Sequence, residues 1–230
     1  VEADLAVPNL TAGSRFAGPE QTTAYEIGFK GNWPWFSLNI ALFDQAIEDF
    51  QTNVFTGTGF VLLNAGKQST TGLEVDSVWL PAPDWRIDFS ATWLDPVYDS
   101  FTGGEGVGGP QDLSGRRPAG ISELSLSTSA TWNFELGNVA AYLRGEYVFE
   151  DEVQVADNVP ASVASRKVNL VNASAGLDWA SGWQLQLWVR NLTGDEFLAS
   201  SAFPAAGQPG TFLGYPNEPR TWGINGRFRF

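Results

Sequence analysis

The chain is 230 residues long with a formal charge of −13, and it carries 10 Trp and 16 Phe but no Cys, His or Met. Without Cys, neither a disulfide framework nor a thiolate metal site can form, and without His the commonest general base and transition-metal ligand are missing. The acidic balance excludes the basic stripe that a nucleic-acid partner requires.

Residues 1–21 hold no sustained period and contain Pro and Gly, so they are expected to form a loop, or the end of a preceding strand. From there the pattern is β throughout. "AYEIGFK" sets Tyr25, Ile27 and Phe29 against Glu26, Gly28 and Lys30, and after the break "GNWP" the stretch "FSLNIALF" continues the alternation. Residues 60–80 read as one long strand, clearest where Leu73, Val75 and Trp79 oppose Glu74 and Asp76. "DWRIDFSATW" alternates Trp85, Ile87, Phe89, Ala91 and Trp93 with Arg86, Asp88, Ser90 and Thr92. "ELSLSTSATWNF" sets Leu124, Leu126, Ala130, Trp132 and Phe134 against a Ser/Thr/Asn face.

"VAAYLRGEYVF" places Arg144 and Glu146 opposite Leu143, Tyr147 and Phe149, and "VNASAGLDW" places Asn172, Ser174 and Asp178 opposite Val171, Leu177 and Trp179. "WQLQLWVRN" sets Trp183, Leu185, Leu187 and Val189 against Gln184, Gln186 and Arg190. The ninth strand is "TWGINGRFRF", whose period of two is expected to hold to Phe230, with Trp222, Ile224, Phe228 and Phe230 on one face and Arg227 and Arg229 on the other. No helix is expected.

The connections alternate in length. The tight ones are 31–34, 81–84, 136–138 and 181–182; the long ones are 51–59, 101–119, 152–166 and 199–218. In an antiparallel meander every second turn lies at the same end, so one rim has only tight turns and the other only long loops. That is the asymmetry of an outer-membrane barrel. Trp33, Trp35, Trp79, Trp85, Trp132, Trp179 and Trp183 lie near the tight turns, as an aromatic girdle at a membrane interface would. Strand propensity of aromatics is the plainer explanation, but it does not account for clustering at one rim.

On this reading the Trp/Leu/Ile/Phe face meets lipid. Glu74, Asp76, Arg86, Asp88, Arg144, Glu146, Arg190, Arg227 and Arg229 then face a wet lumen, contacting a plug or a solute, or forming a cross-strand network in water. The fold class is therefore all-β: an antiparallel up-and-down transmembrane β-barrel, partial, because nine strands leave two edges that need further strands to close. The missing Met, even at position 1, gives the same expectation of a piece of a longer or processed chain; no signal peptide is visible.

"PEQTTAYEIGFKG" (19–31), "NAGKQSTTGLEVDSVWLP" (64–81), "VRNLTGDEF" (189–197) and "EPRTWGINGRFRF" (218–230) resemble, in order and spacing, the C-terminal barrel half of TonB-dependent outer-membrane receptors. The resemblance implies a 22-stranded barrel of which residues 22–230 are the last nine strands, with the plug, the TonB box and the first strands absent. It also implies a Gram-negative outer-membrane location, with lipid, lipopolysaccharide, the plug, TonB through the plug and the barrel-assembly machinery as partners. That machinery would read Trp222, Ile224, Phe228 and Phe230 as its C-terminal signal; the alternative is that these rings only face lipid.

The function implied is active uptake of a scarce solute such as an iron–siderophore complex, cobalamin or a glycan. Candidate solute contacts in the loops are Tyr98, Phe101, Phe203, Phe212 and Tyr215. A passive porin or structural barrel, and a soluble β-sandwich binding module or hydrolase, are the alternatives. "GEGVGG" (104–109) formally fits G-x-G-x-x-G, but Pro110 follows and no helix does, so it reads as a loop. The acidic residues Asp44, Glu48, Asp49, Asp95, Asp99, Glu150, Asp151 and Glu152 gather toward the long-loop rim, as a solvated rim or a divalent-cation surface would. Asn9, Asn172 and Asn191 begin N-x-S/T sequons with no expected meaning in a bacterial outer membrane. No catalytic constellation, cofactor site or metal site is expected.

Overall fold

A computed structural model describes residues 17–55, 60–205, 208 and 210–230. The strands in chain order are β1 (Gln21–Trp33), β2 (Phe36–Glu48), β3 (Gln51–Phe55), β4 (Phe60–Asn64), β5 (Lys67–Trp79), β6 (Trp85–Ser100), β7 (Thr102–Gly106), β8 (Gly109–Asp112), β9 (Leu124–Leu136), β10 (Val139–Gln154), β11 (Ser165–Trp179), β12 (Trp183–Arg190), β13 (Leu198–Pro204), β14 (Phe212–Pro216) and β15 (Thr221–Phe228). No helix occurs among the described residues. Nine of these strands form one antiparallel sheet in the order β1-β2-β5-β6-β9-β10-β11-β12-β15. The other six pair off as three small hairpins, β3–β4, β7–β8 and β13–β14.

The order is an unbroken meander, so its turns separate by rim. One rim carries Pro34–Trp35, residues 80–84, Gly137–Asn138 and residues 180–182; the other carries residues 49–66, 101–123, 155–164 and 191–220. Each small hairpin sits inside a long connection. At the tight rim, Leu136 pairs with Val139 across two residues, and Gly137 takes φ 64°, the left-handed conformation such a short turn demands.

Three boundaries differ from expectation. The ladder between β1 and β2 runs unbroken to Trp33↔Phe36, so "GNW" is strand and the turn is Pro34–Trp35, where Pro34 presets φ. Residues 60–80 are not one strand: β4 turns back on β3, and the meander resumes at Lys67. The terminal ladder stops at Phe228, although the Arg229 amide still donates to the Gly182 carbonyl at 2.9 Å.

Register carries one apolar face across all nine strands. It runs Phe29↔Ile40↔Val75↔Ala91↔Leu126 on one side, and Trp132↔Leu143↔Ala175↔Leu187↔Ile224 on the other. These side chains are not covered; Trp222 is 75% exposed. A soluble sandwich would bury such a face against a second sheet, and none of the described residues outside the sheet forms a second layer on it. The buried apolar cores lie instead among the long connections.

Candidate functional site

The long-loop rim has a packed interior. Phe50, Tyr98, Phe101 and Leu113 form one core, with Ile47 and Ala65 against it. Phe50 stacks on Tyr98 at 5.7 Å, and both meet Phe101 edge-on at 5.2 and 5.0 Å. Leu113, 1% exposed, closes the base of the β7–β8 hairpin, where its amide donates to the Phe101 carbonyl. A second core of Val155, Val159 and Ala164 has Leu198 and Phe212 packed on it.

Polar contacts link these cores around the rim. The Tyr98 hydroxyl donates to Asp157 Oδ2 at 3.2 Å, and Asn158 donates to Glu105 Oε1 at 3.0 Å. Arg166 pairs with Glu150 at 2.8 Å and donates to the Ala199 carbonyl. Connections 49–66, 101–123, 155–164 and 191–220 are therefore joined in sequence into one cap. Tyr98 is thirteen positions from Trp85, roughly 40 Å along the strand at 3.3 Å per residue, beyond the ~25 Å apolar band of a membrane barrel.

Of the candidate solute contacts in the loops, Tyr98 and Phe101 are buried and Phe212 is half-buried. Tyr98 and Phe101 thus pack on each other and on Phe50 and Leu113 inside the cap instead of standing at its surface. Tyr215 is exposed on β14. The side chain of Phe203, like Asn9 and most of residues 1–21, lies outside the described residues.

Burial pushes the Asp157 carboxyl above the ordinary carboxylate range, partly offset by hydrogen bonds from the Tyr98 hydroxyl and the Ala119 amide and by Arg116. The folded cap thus binds this proton more tightly than the unfolded chain, so its stability falls as pH rises from the ordinary carboxylate range through the raised value. We expect amide exchange in 155–164, corrected for the intrinsic rate, to slow as pH falls from neutral through that window. Asp157→Asn should abolish the trend; a trend unchanged in that variant would sink the assignment.

The base of the last long connection is held by a residue that the sequence analysis noted only as a sequon. Asn191 is buried with φ 51°, left-handed without being glycine. Its Oδ1 accepts from the Asp195 amide at 2.7 Å, and its Nδ2 donates to the carbonyls of Asp195 and Glu218 at 2.8 and 3.2 Å. Its own amide donates to Asn172 Oδ1. Two of the three sequon asparagines, Asn172 and Asn191, thus form one structural contact.

On the sheet, Glu74, Asp76, Arg86, Asp88, Arg144, Glu146, Arg190 and Arg227 all fall on the face opposite the Leu/Ile/Trp face; Arg229 follows the last ladder pair. The expected cross-strand network is different in detail: the ion pairs run along strands, Arg86–Asp88 at 2.6 Å and Arg144–Glu146 at 2.7 Å. Side chains two apart on one strand share a face, so both heads reach each other without crossing to a neighbour.

Three rings also share this polar face. Phe43, Tyr142 and Trp188 lie on the neighbouring strands' Gly72, Gly176 and Gly223, where an added Cβ would sit 2.2, 2.1 and 2.5 Å from ring atoms. Each glycine is the direct cross-strand partner of its ring. The rings therefore lie flat on the wall. Glycines in "TTGLE", "SAGLD" and "TWGIN", at strand positions where a side chain belongs, were the available signal.

Near the tight rim, Trp33, Trp79, Trp85, Trp132, Trp179 and Trp183 share the apolar face, and Trp35 sits in the first turn. Trp33 stacks on Phe36 at 5.9 Å, Trp85 on Trp132 at 5.9 Å, and Trp183 meets Phe228 at 4.9 Å. Trp222, Ile224 and Phe228 continue that face on β15, and the Phe230 ring lies 6.5 Å from Phe228. At the long-loop rim the carboxylates have separate partners: Asp44 accepts from Thr71, Asp99 from Ser69, and Asp95 pairs with Arg117. Among the described residues no three acidic groups converge as metal ligands.

An antiparallel wall with one continuous apolar face, tight turns at one rim and a cap of long loops at the other defines a segment of a membrane β-barrel. The profile of the family "TonB dependent receptor-like, beta-barrel" matches residues 4–192, and the chain belongs to that family. FyuA, the ferric yersiniabactin uptake receptor of Yersinia pestis, has a similar structure: TM-score 0.74, 20% identity, 92% of this chain and 30% of FyuA covered. The siderophore receptor PiuA of Acinetobacter baumannii gives 0.69 at 17% identity, covering 96% of this chain and 30% of PiuA. The copper transporter OprC gives 0.67 at 15%, covering 92% of this chain and 32% of OprC. The chain thus spans about 30% of the length of these receptors. No curated protein matches its sequence.

Proposed function

We propose that this chain is the C-terminal wall of an active-uptake receptor in the outer membrane of a Gram-negative bacterium, energised through TonB. It acts as a receptor and transporter, not as an enzyme. Its cargo is a scarce solute, with a metal chelate such as an iron–siderophore complex first and cobalamin or a glycan next. Similarity to a ferric yersiniabactin uptake receptor, a siderophore receptor and a copper transporter supports that order.

The observation that carries the reading is the division between rims: indoles on tight turns at one end, a packed loop cap at the other. In this reading the Trp belt sits at the periplasmic interface, and the cap stands among lipopolysaccharide and receives the solute. The polar face, Arg229 included, lines the lumen around a plug domain through which TonB acts. The free edges β1 and β15 pair with further strands, because lipid leaves no backbone group unpaired. Trp222, Ile224, Phe228 and Phe230 form the signal read by the barrel-assembly machinery.

Uptake of a labelled ferric chelate panel by cells producing the intact protein tests the function. Accumulation that disappears without TonB supports it. Accumulation indifferent to TonB points to a porin, and recovery of the protein in the soluble fraction overturns a membrane wall altogether.

The orientation has its own test, read against the unsubstituted protein, since these 230 residues contain no Cys of their own. Ser174→Cys on the polar face should react with a water-soluble maleimide, and Leu187→Cys on the apolar face should not. The reverse pattern would turn the wall inside out.

A further inference from the structure

Two hollows on the polar face join into a trough. One, of about 570 Å³, is lined by Arg144, Ser174, Trp188 and Arg190; the other, of about 620 Å³, by Asp178, Gln184 and Arg227; both share Asn133, Tyr142, Gln186 and Asn225. Each volume falls in the ~300–1,000 Å³ range of small-ligand sites. The trough runs down β12 and β15, from Arg190 past Trp188 and Gln186 to Arg227, toward the tight-turn rim.

Its chemistry is selective. The Tyr142 and Trp188 rings lie flat on Gly176 and Gly223, so each presents a face to the trough instead of an edge. Between them, Asn225 donates to Gln186 Oε1 and Gln186 donates to the Tyr142 hydroxyl, an amide row that exchanges readily with vicinal hydroxyls. The Arg190 guanidinium lies 5.5 Å from the Trp188 ring centroid. Neither Arg190 nor Arg227 has a carboxylate partner among the described residues, whereas Arg144 is already paired with Glu146. The acidic groups here are engaged: Glu146 by Arg144, and Asp178 by Gln184 Nε2 at 2.6 Å.

We infer that this trough is a binding track for hydroxyl-bearing carboxylates of the sugar-acid kind. The two ring faces stack on the C–H face of the sugar. The amides take its hydroxyls, and the guanidiniums of Arg190 and Arg227 take its carboxylate at successive stations. A neutral sugar keeps the stacking but lacks the charge-assisted bond. The inference rests on the polar face being the lumen and on the plug leaving this stretch of wall open, both of which labelling at Ser174 in the first hollow reads out.

The test is saturation-transfer NMR with D-glucuronate as probe, and D-glucose as the neutral comparison, on the intact protein in detergent. Glucuronate should receive saturation and glucose much less. Arg190→Gln should weaken glucuronate binding about tenfold, the equivalent of ~1.4 kcal/mol, and Leu38→Ala on the other face should not. Arg190 is exposed and has no carboxylate partner among the described residues, so its replacement keeps the fold where Trp188→Ala risks losing it. Equal binding by wild type and Arg190→Gln, or no preference for glucuronate over glucose, overturns the track. Labelling of Ser174→Cys in the same preparation separates this failure from failure of the lumen assignment: a labelled but non-binding wall refutes the track alone.

Discussion

Asn191→Ala should destabilise the intact protein by about 3–4 kcal/mol, among the largest effects of any single substitution in this wall. The variant deletes three side-chain hydrogen bonds, to the Asp195 amide and to the Asp195 and Glu218 carbonyls, at a site that is 4% exposed. Water cannot reach those backbone groups, so each loss counts at about 1 kcal/mol. Alanine must also hold φ 51°, which an unsubstituted asparagine tolerates and a Cβ without a polar partner does not. Asn191→Gly separates the two causes: it should recover the conformational part, roughly 1 kcal/mol, and leave the hydrogen-bond loss. Thermal loss of the compact gel form and exchange of amides in 192–217 report the effect. An Asn191→Ala protein as stable as wild type would show that the loop base is held elsewhere.

Gly182→Ala should be comparably damaging, by about 2–4 kcal/mol, for a different reason. Gly182 has φ 90°, and a Cβ there would lie 2.4 Å from the Arg229 carbonyl oxygen, a backbone atom that cannot rotate away. The same residue accepts the Arg229 amide at 2.9 Å and donates to the Trp179 carbonyl. The β11–β12 turn and the end of β15 are therefore pinned at one point. The expected result is a smaller folded fraction in the membrane and looser packing between Trp183 and Phe228. Gly137→Ala is the comparison: its φ is also left-handed, but its Cβ would meet nothing, so it should cost only the conformational penalty of about 1 kcal/mol. Equal effects at the two glycines would exclude the backbone collision as the cause.

How far the residues foretold this can be seen strand by strand. Period two was enough to find the nine sheet strands and their order, because each hairpin connection is short or long by turns and a meander needs nothing else. It misplaced the first turn, since Gly31 and Pro34 read as breakers while the ladder runs on through Asn32 and Trp33. It merged β4 with β5 because "FVLLN" and "KQSTT" carry no turn signal beyond a single glycine between them.

The cap was read as loop because its hairpins are short and glycine-rich, and the rings that hold it close, Tyr98 and Phe101, lie at a strand end. There, alternation no longer predicts which way a side chain turns. Phe43, Tyr142 and Trp188 escaped because their placement is a property of pairs. A ring on a polar face looks like an error in the pattern until register shows the glycine across from it.

The linked cap carries a consequence for engineering. Since Phe50 packs on Phe101, Asn158 bonds to Glu105, and Phe212 packs on the core of Val155, Val159 and Ala164, four different connections are joined in series, and transplanting a single hairpin from another member of the family would strand half of an interlocking pair. Exchange of these loops should succeed only when a whole arc of adjacent connections travels together, with its internal fastenings intact.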